Sequence, residues 1–579
     1  MDRDTLKRRI DVAAGRAQAD LRLTNCRIID VYNQSVFEGD VLIADGRIAG
    51  FGGPGFPPAR ETCDLGGRYL APGLIDGHVH IESSHLSPPE FSRLVVPHGT
   101  TTVIADPHEI CNVCGVEGFD YMLRASENLA LQVFLQFPSC VPCTPFEHAG
   151  AVLKASEIAS RIGHPRVLGL GELMDFPGVV AADGDILDKL MAADRAGKLV
   201  DGHSPGLTGY RLDAYAASGV RTEHECATPD DLRDRVRRGV YVMLRQGTAC
   251  HDVLNLLPGL DAGSARFCLF CTDDRQSNSL IQEGHIDNNL RLAISNGLDP
   301  LTALSMATLN AAQCFGLKDR GAIAPGLRAD LVAFDSLEDF HVNEVWVGGR
   351  LAARNGQYLA RDIPFPAERV SGRMNVKDFS AERLALPLKS PSVRTIRLIP
   401  GSVVTEVGHA EVPRDAAGCW TRDEQDIVKI AVVERHHGTG CVGLGLLEGF
   451  GLKHGAIATS VAHDSHNIIV AGDDDRDMAL AVGRLIEMGG GMALARDGAM
   501  LDSFRHEIAG LMTDQPGETV ARRLAEMGNT AHEALGIHQD VDPFMALCFM
   551  ALPVIPHLKI TDEGLFDVDV FRHVPVEAE

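Results

Sequence analysis

Between residues 70 and 272, short apolar runs recur with amphipathic stretches between them, and this alternation constrains the fold more than any other feature. The eight runs are 70–77 (LAPGLIDG), 100–105 (TTTVIA), 130–136 (ALQVFLQ), 166–171 (RVLGLG), 198–202 (KLVDG), 220–223 (VRTE), 240–244 (VYVML) and 267–272 (FCLFCT). Stretches between them, such as 152–162 (VLKASEIASRI) and 185–195 (DILDKLMAADR), space their apolar residues as helices do. Strands alternating with helices pair in parallel, and eight such units fit an α/β fold, the (β/α)₈ TIM-type barrel of roughly 250 residues. A doubly wound open sheet is the alternative. No glycine-rich phosphate loop follows the first strand, which counts against it.

The flanks have a different texture. Residues 21–52 alternate apolar and polar positions around turn pairs such as Asp45-Gly46, and the pattern returns at 321–356. A small β-domain assembled from both sides of the barrel follows. Around 360–400 the chain becomes Pro-rich and irregular, and beyond it strands (IVKIAVVER, HNIIVAG) mix with helices (DMALAVGRLIEM). The expected division is 1–70 plus 321–375 for the composite β-domain, 71–320 for the barrel, and 376–579 for an extra C-terminal α/β domain.

Polar residues collect where the predicted strands end. His78 and His80 follow the first, Asp106 and His108 the second, Glu172 the fourth, His203 the fifth, His224 the sixth, and Asp273 with Asp274 the eighth. In a barrel the C-terminal strand ends converge on one face, so these residues share a pocket. His78 and His80 are two apart and project to the same side of a strand, with Val79 facing away. One strand-end histidine is ordinarily a hydrogen-bonded or surface residue. Four histidines and two carboxylates at five strand ends make a divalent metal site, with donors suited to Zn, Mn or Fe. His85 lies past the strand end and reads as structural, and Asp106, His108, Glu283 and His285 also fit helix caps or supporting roles.

The net charge of −25 disfavours a nucleic-acid backbone as partner and leaves a small neutral substrate open. The charged N-terminus lacks a secretory apolar core, and no apolar run reaches ~18 residues, so a cytoplasmic protein without a membrane partner is expected. A homo-oligomer, by default a dimer, is the expected assembly. Fourteen cysteines in such a chain are read as free thiols, including the C-x-x-C pairs at 111/114, 140/143 and 268/271.

The passage PGLIDGHVH, followed in order by His203, His224 and Asp273, resembles the amidohydrolase superfamily. Within it, TTVIADPHEICNVCG, GLGELMDFPGV, DGHSPGLTG, CTDDRQ, EGHIDNNLR and the distal GLKHGAIATSVAHDSHNIIVAG resemble the adenine deaminases over nearly the whole chain. The resemblance implies His78, His80, Glu172, His203, His224 and Asp273 as ligands of a divalent metal, two ions per subunit, Mn or Fe, with Zn also compatible. Where many relatives carry a carboxylated lysine, GLGELMD has Glu172, which fits members with a carboxylate bridge. It further implies hydrolysis of a purine, adenine, to hypoxanthine and ammonia, with Asp273 as catalytic base and then acid. For substrate binding, Glu82, Asp106, His108, Glu283 and His285 are the candidates, and Glu283, His285 and Asp106 are equally open as proton donors to the ring nitrogen.

Three rivals stand beside this expectation. Another hydrolase of the superfamily could act on a cyclic amide or a different aminopurine with the same metals. A cytidine-type deaminase would use His80-Ile81-Glu82 with Cys111 and Cys114, although the proline of that signature is missing. A non-catalytic descendant would have no need to keep six ligands. The cluster His463-Asp464-Ser465-His466-Asn467 stays open among substrate contact, further metal and turn, and Asp473-Asp474-Asp475 reads as a solvated helix start.

Overall fold

The computed structural model describes residues 2–53 and 55–578. Its centre is a ring of parallel strands: β1 (Leu74–His80), β2 (Thr100–Ala105), β3 (Gln132–Phe137), β4 (Val167–Leu173) and β5 (Leu199–Gly202). It continues through β6 (Thr222–Glu223), β7 (Tyr241–Arg245) and β8 (Cys268–Cys271), the last extended by Asp273–Asp274. β1 to β5 form one ladder and β6 to β8 another. The Val200↔Val220 bridge joins β5 to β6. Asp273 and Asp274 pair with Val79 and His80 of β1, which closes the ring. β1 and β2 are buried at every position, as strands covered on both faces must be. This is the expected (β/α)₈ barrel.

One expected boundary differs. The run at 70–77 belongs to two sheets: Tyr69–Pro72 pairs with both flanking segments of the chain, and β1 begins only at Leu74. The hinge is Gly73, where a Cβ would come within 2.2 Å of the Thr101 hydroxyl. An unbroken apolar run carries no sign of which partner each residue takes, so the division is invisible to periodicity. β1 consequently reaches His80, and both histidines lie inside the strand rather than after it.

The flanking sheet has nine strands, five from residues 21–72 and four from residues 331–358. The C-terminal region carries an eight-stranded sheet, antiparallel except where Ser392–Leu398 runs parallel to Val442–Glu448, with helix Asp475–Met488 packed against it. Asp474 caps that helix by accepting from the amides of Arg476 and Asp477, where acidic side chains suit the dipole. Ala456–Thr459 and Ile468–Gly472 of this sheet are joined by residues 460–467, a loop that is buried throughout and lies over the mouth of the barrel. Among the described residues no helix is long and apolar enough to cross a membrane.

Candidate metal centre and active site

The two histidines of β1 project from one face of the strand, with their Nε2 atoms 3.1 Å apart. Their other ring nitrogens set their tautomers. His78 Nδ1 lies 2.9 Å from Asp201 Oδ2 and His80 Nδ1 lies 2.9 Å from the Asp106 carbonyl oxygen. Ionised carboxylates and carbonyls only accept, so each Nδ1 donates and each neutral ring turns an Nε2 lone pair inward. Asp201 is itself held by the Thr222 hydroxyl and the Gly202 amide.

Two carboxylates complete this group. Glu172 Oε1 lies 3.2 Å from His80 Nε2 and 3.8 Å from His78 Nε2, and Asp273 Oδ1 lies 3.1 and 3.7 Å from the same atoms. Donors around an ion at ordinary bond lengths stand roughly 3.3–3.6 Å apart, so the four match one coordination shell. Glu172 Oε2 faces a second group, 2.9 Å from His203 Nδ1 and 3.4 Å from His224 Nε2. His203 Nδ1 is buried without an aligned hydrogen bond, as expected of a nitrogen whose partner is a cation. Four imidazoles, three of them buried and His203 partly so, stand around a carboxylate with one oxygen toward each pair, a donor set that would hold divalent metal.

Two charged residues that the sequence did not single out support the centre. Arg245, at the end of β7, reaches Asp273 Oδ2 at 3.0 Å and pairs with Glu225 and Asp252. Glu225 Oε1 stands 3.6 Å from His224 Nε2 and 3.8 Å from His203 Nδ1. Both lie at strand ends, Arg245 closing β7 and Glu225 two residues past β6, so the positional rule that located His224 covers them as well. Asp273 takes a left-handed backbone, φ 58°, which aspartate tolerates better than most residues. Burial works against its charge, yet the His80 contact and the Arg245 guanidinium hold it well below the usual carboxylate range.

Of the five expected substrate-side residues, three sit at the centre. Asp106 Oδ2 accepts from the Glu172 amide at 2.9 Å, and Gly171 leaves the room, since a Cβ there would lie 2.2 Å from that oxygen. His108 Nδ1 stands 3.1 Å from Glu172 Oε1. Glu82 is buried, accepts from the Ile110 amide through Oε1 and has no partner for Oε2; burial pushes its carboxyl up to about 7.

Glu283 and His285 are not brought there. The Glu283 side chain is 47 % exposed and pairs with Arg275, while His285 is bonded to Thr100 and lies 3.1 Å from Asp76. Thr100 opens β2 at the end opposite the mouth, so the helix Ser277–Gln282 has carried the chain away from the ligands. His85 packs instead against His506, ring centroids 4.9 Å apart.

The structure adds residues from beyond the barrel. Glu109 follows His108, and its carboxylate meets His463 and His466 from the C-terminal loop. All fourteen cysteines are free. Burial pushes the thiols of Cys111 and Cys114 up, the latter to about 11, opposite to what thiolate ligands need.

The Asp201 contact yields a prediction. Asp201→Ala removes the acceptor that orients His78 and is expected to weaken metal binding about 10–100-fold, measured by competition with a chelator. Unchanged affinity would contradict the tautomer assignment.

The family model described as amidohydrolase family matches residues 69–352, and that described as adenine deaminase C-terminal domain matches 402–572. An adenine deaminase 2 of Desulfotalea psychrophila is 51% identical over 579 residues, 100% of both chains. An adenine deaminase of Nitratidesulfovibrio vulgaris is 52% identical over 569 residues, 98% of each chain. One of Ligilactobacillus salivarius is 46% identical over 570 residues, again 98% of each. With relatives this similar along its whole length, the chain belongs to the adenine deaminase family of amidohydrolases.

Proposed function

We propose that this chain hydrolyses adenine to hypoxanthine and ammonia at the mouth of its barrel, with two divalent ions, Mn or Fe and with Zn also compatible, as its cofactors. The observation that carries the reading is the shared carboxylate of Glu172, with His78 and His80 at one oxygen, Asp273 beside the same two histidines, and His203 with His224 at the other. Divalent ions held by these residues would lower the pKa of water and so supply hydroxide chemistry near neutral pH.

The chain's own part is proton handling. Asp273 presents Oδ1 to the ligand group while Arg245 holds Oδ2, so the carboxylate is ionised and fixed in direction. It accepts the proton that water gives up as the C6–oxygen bond forms and the C6–N1 π pair moves onto N1. It gives that proton to the exocyclic nitrogen as the pair returns from N1 and the bond from C6 to that nitrogen breaks, so ammonia leaves and 6-hydroxypurine, the tautomer of hypoxanthine, remains. Asp106 fixes the backbone that carries Glu172 through its 2.9 Å hydrogen bond.

Apoprotein reconstituted separately with Mn, Fe and Zn and offered adenine, adenosine and a cyclic ureide tests the reading. Ammonia release from adenine is the expected result. Turnover of the ureide alone would replace this reading with an amide hydrolase, and no turnover of any compound would remove the enzymatic one.

A further inference from the structure

Residues 460–467 form a buried loop rich in polar side chains, and burying such groups is costly unless most of them find partners. Ser460 Oγ donates to the Gly510 carbonyl at 2.7 Å within the C-terminal region, while Asn467 Oδ1 accepts from the Arg435 amide at 3.1 Å and its Nδ2 donates to the His148 carbonyl of the barrel at 2.7 Å. His463 Nδ1 lies 2.7 Å from Glu109 Oε1, and His466 Nε2 contacts Glu109 Oε2, so both cross to the barrel.

The tautomer of His466 is set by the backbone. The Ala462 amide donates to His466 Nδ1 at 3.0 Å, which makes Nδ1 the acceptor and leaves the proton of the neutral ring on Nε2. That proton can only be given to Glu109, and a nitrogen carrying it has no lone pair for a metal. His463 is held in plane by stacking on Phe549, centroids 4.6 Å apart at 24°. Glu109 is therefore an acceptor between two fixed donors. Its Oε1 also stands 3.3 Å from His108 Nε2, and His108 Nδ1 stands 3.1 Å from the bridging Glu172.

We propose that His463 and His466 are positioning residues of the active site, clamping Glu109 so that it holds the His108 ring against Glu172. The C-terminal region then completes the catalytic apparatus, and the barrel by itself has a loose His108. The inference rests on the proposed reaction for its kinetic readout only.

A double-mutant cycle on the full-length holoenzyme tests it. His466→Leu is expected to lower kcat about 10–100-fold with metal content unchanged. The same change in a Glu109→Gln background should cost less than about threefold, because the two residues act as a unit. His466→Gln, which keeps an N–H at the same reach, should recover most of what His466→Leu loses. It also stands in if the leucine variant does not fold, when a cycle of His463→Asn with Glu109→Gln replaces the first. Additive losses, unchanged kcat, or a glutamine variant as poor as leucine would overturn the clamp. Loss of one metal ion per chain would overturn it in favour of a metal site at Glu109, His463 and His466. Were adenine not the substrate, the cycle read in the thermal unfolding midpoint decides: a smaller shift in the Glu109→Gln background supports the clamp and equal shifts refute it.

Discussion

Asp273→Asn lowers kcat for ammonia release from adenine by at least about 10³-fold, the upper range for removing a general acid–base group, while most of the metal stays bound. Asparagine keeps one carbonyl oxygen, and two groups compete for it. Asp273 Oδ1 faces the histidine nitrogens of β1 and Oδ2 faces Arg245 at 3.0 Å, so an amide NH₂ must confront either a cation or a metal position. The side chain also loses its capacity to take a proton. Rate assays beside metal analysis of the same preparation check this. Near-normal turnover would remove Asp273 from its role as base, and complete loss of metal would make it only a ligand.

Glu172→Gln is expected to be as severe for a different reason. The carboxylate gives one oxygen to each histidine pair, 3.2 Å from His80 Nε2 and 2.9 Å from His203 Nδ1. Glutamine offers one oxygen and one NH₂, so one pair loses its anionic donor. The expected result is no more than half the wild-type metal per chain and a loss in kcat of at least about 10³-fold, because in the proposed reaction the metal held there would supply the nucleophile. Unchanged metal content with unchanged turnover would refute the bridge.

How far the sequence reaches is seen by following single residues. The period of two along a strand places His78 and His80 on one side, and this holds although β1 extends further than expected. Glu172, His203, His224 and Asp273 were legible because a barrel brings every C-terminal strand end to one face. Glu283 and His285 were misplaced because nothing local states that the helix after β8 turns them from the mouth, leaving Glu283 on Arg275 and His285 beside Asp76. Arg245 and Glu225 also lie at strand ends, but their pairing with each other and with Asp273 depends on which neighbouring strands bring them together.

The local periods of the chain determined the barrel and, through it, the meeting of four histidines and two carboxylates at its mouth, because alternation and helical spacing are properties of neighbouring residues. Only the tertiary structure decided which of two sheets the run before β1 joins, which oxygen of Glu172 serves which histidines, and what the C-terminal loop touches. His463 and Glu109 are 354 residues apart and meet at 2.7 Å. Contact over that separation is set by the docking of two packed bodies and leaves no period in the sequence.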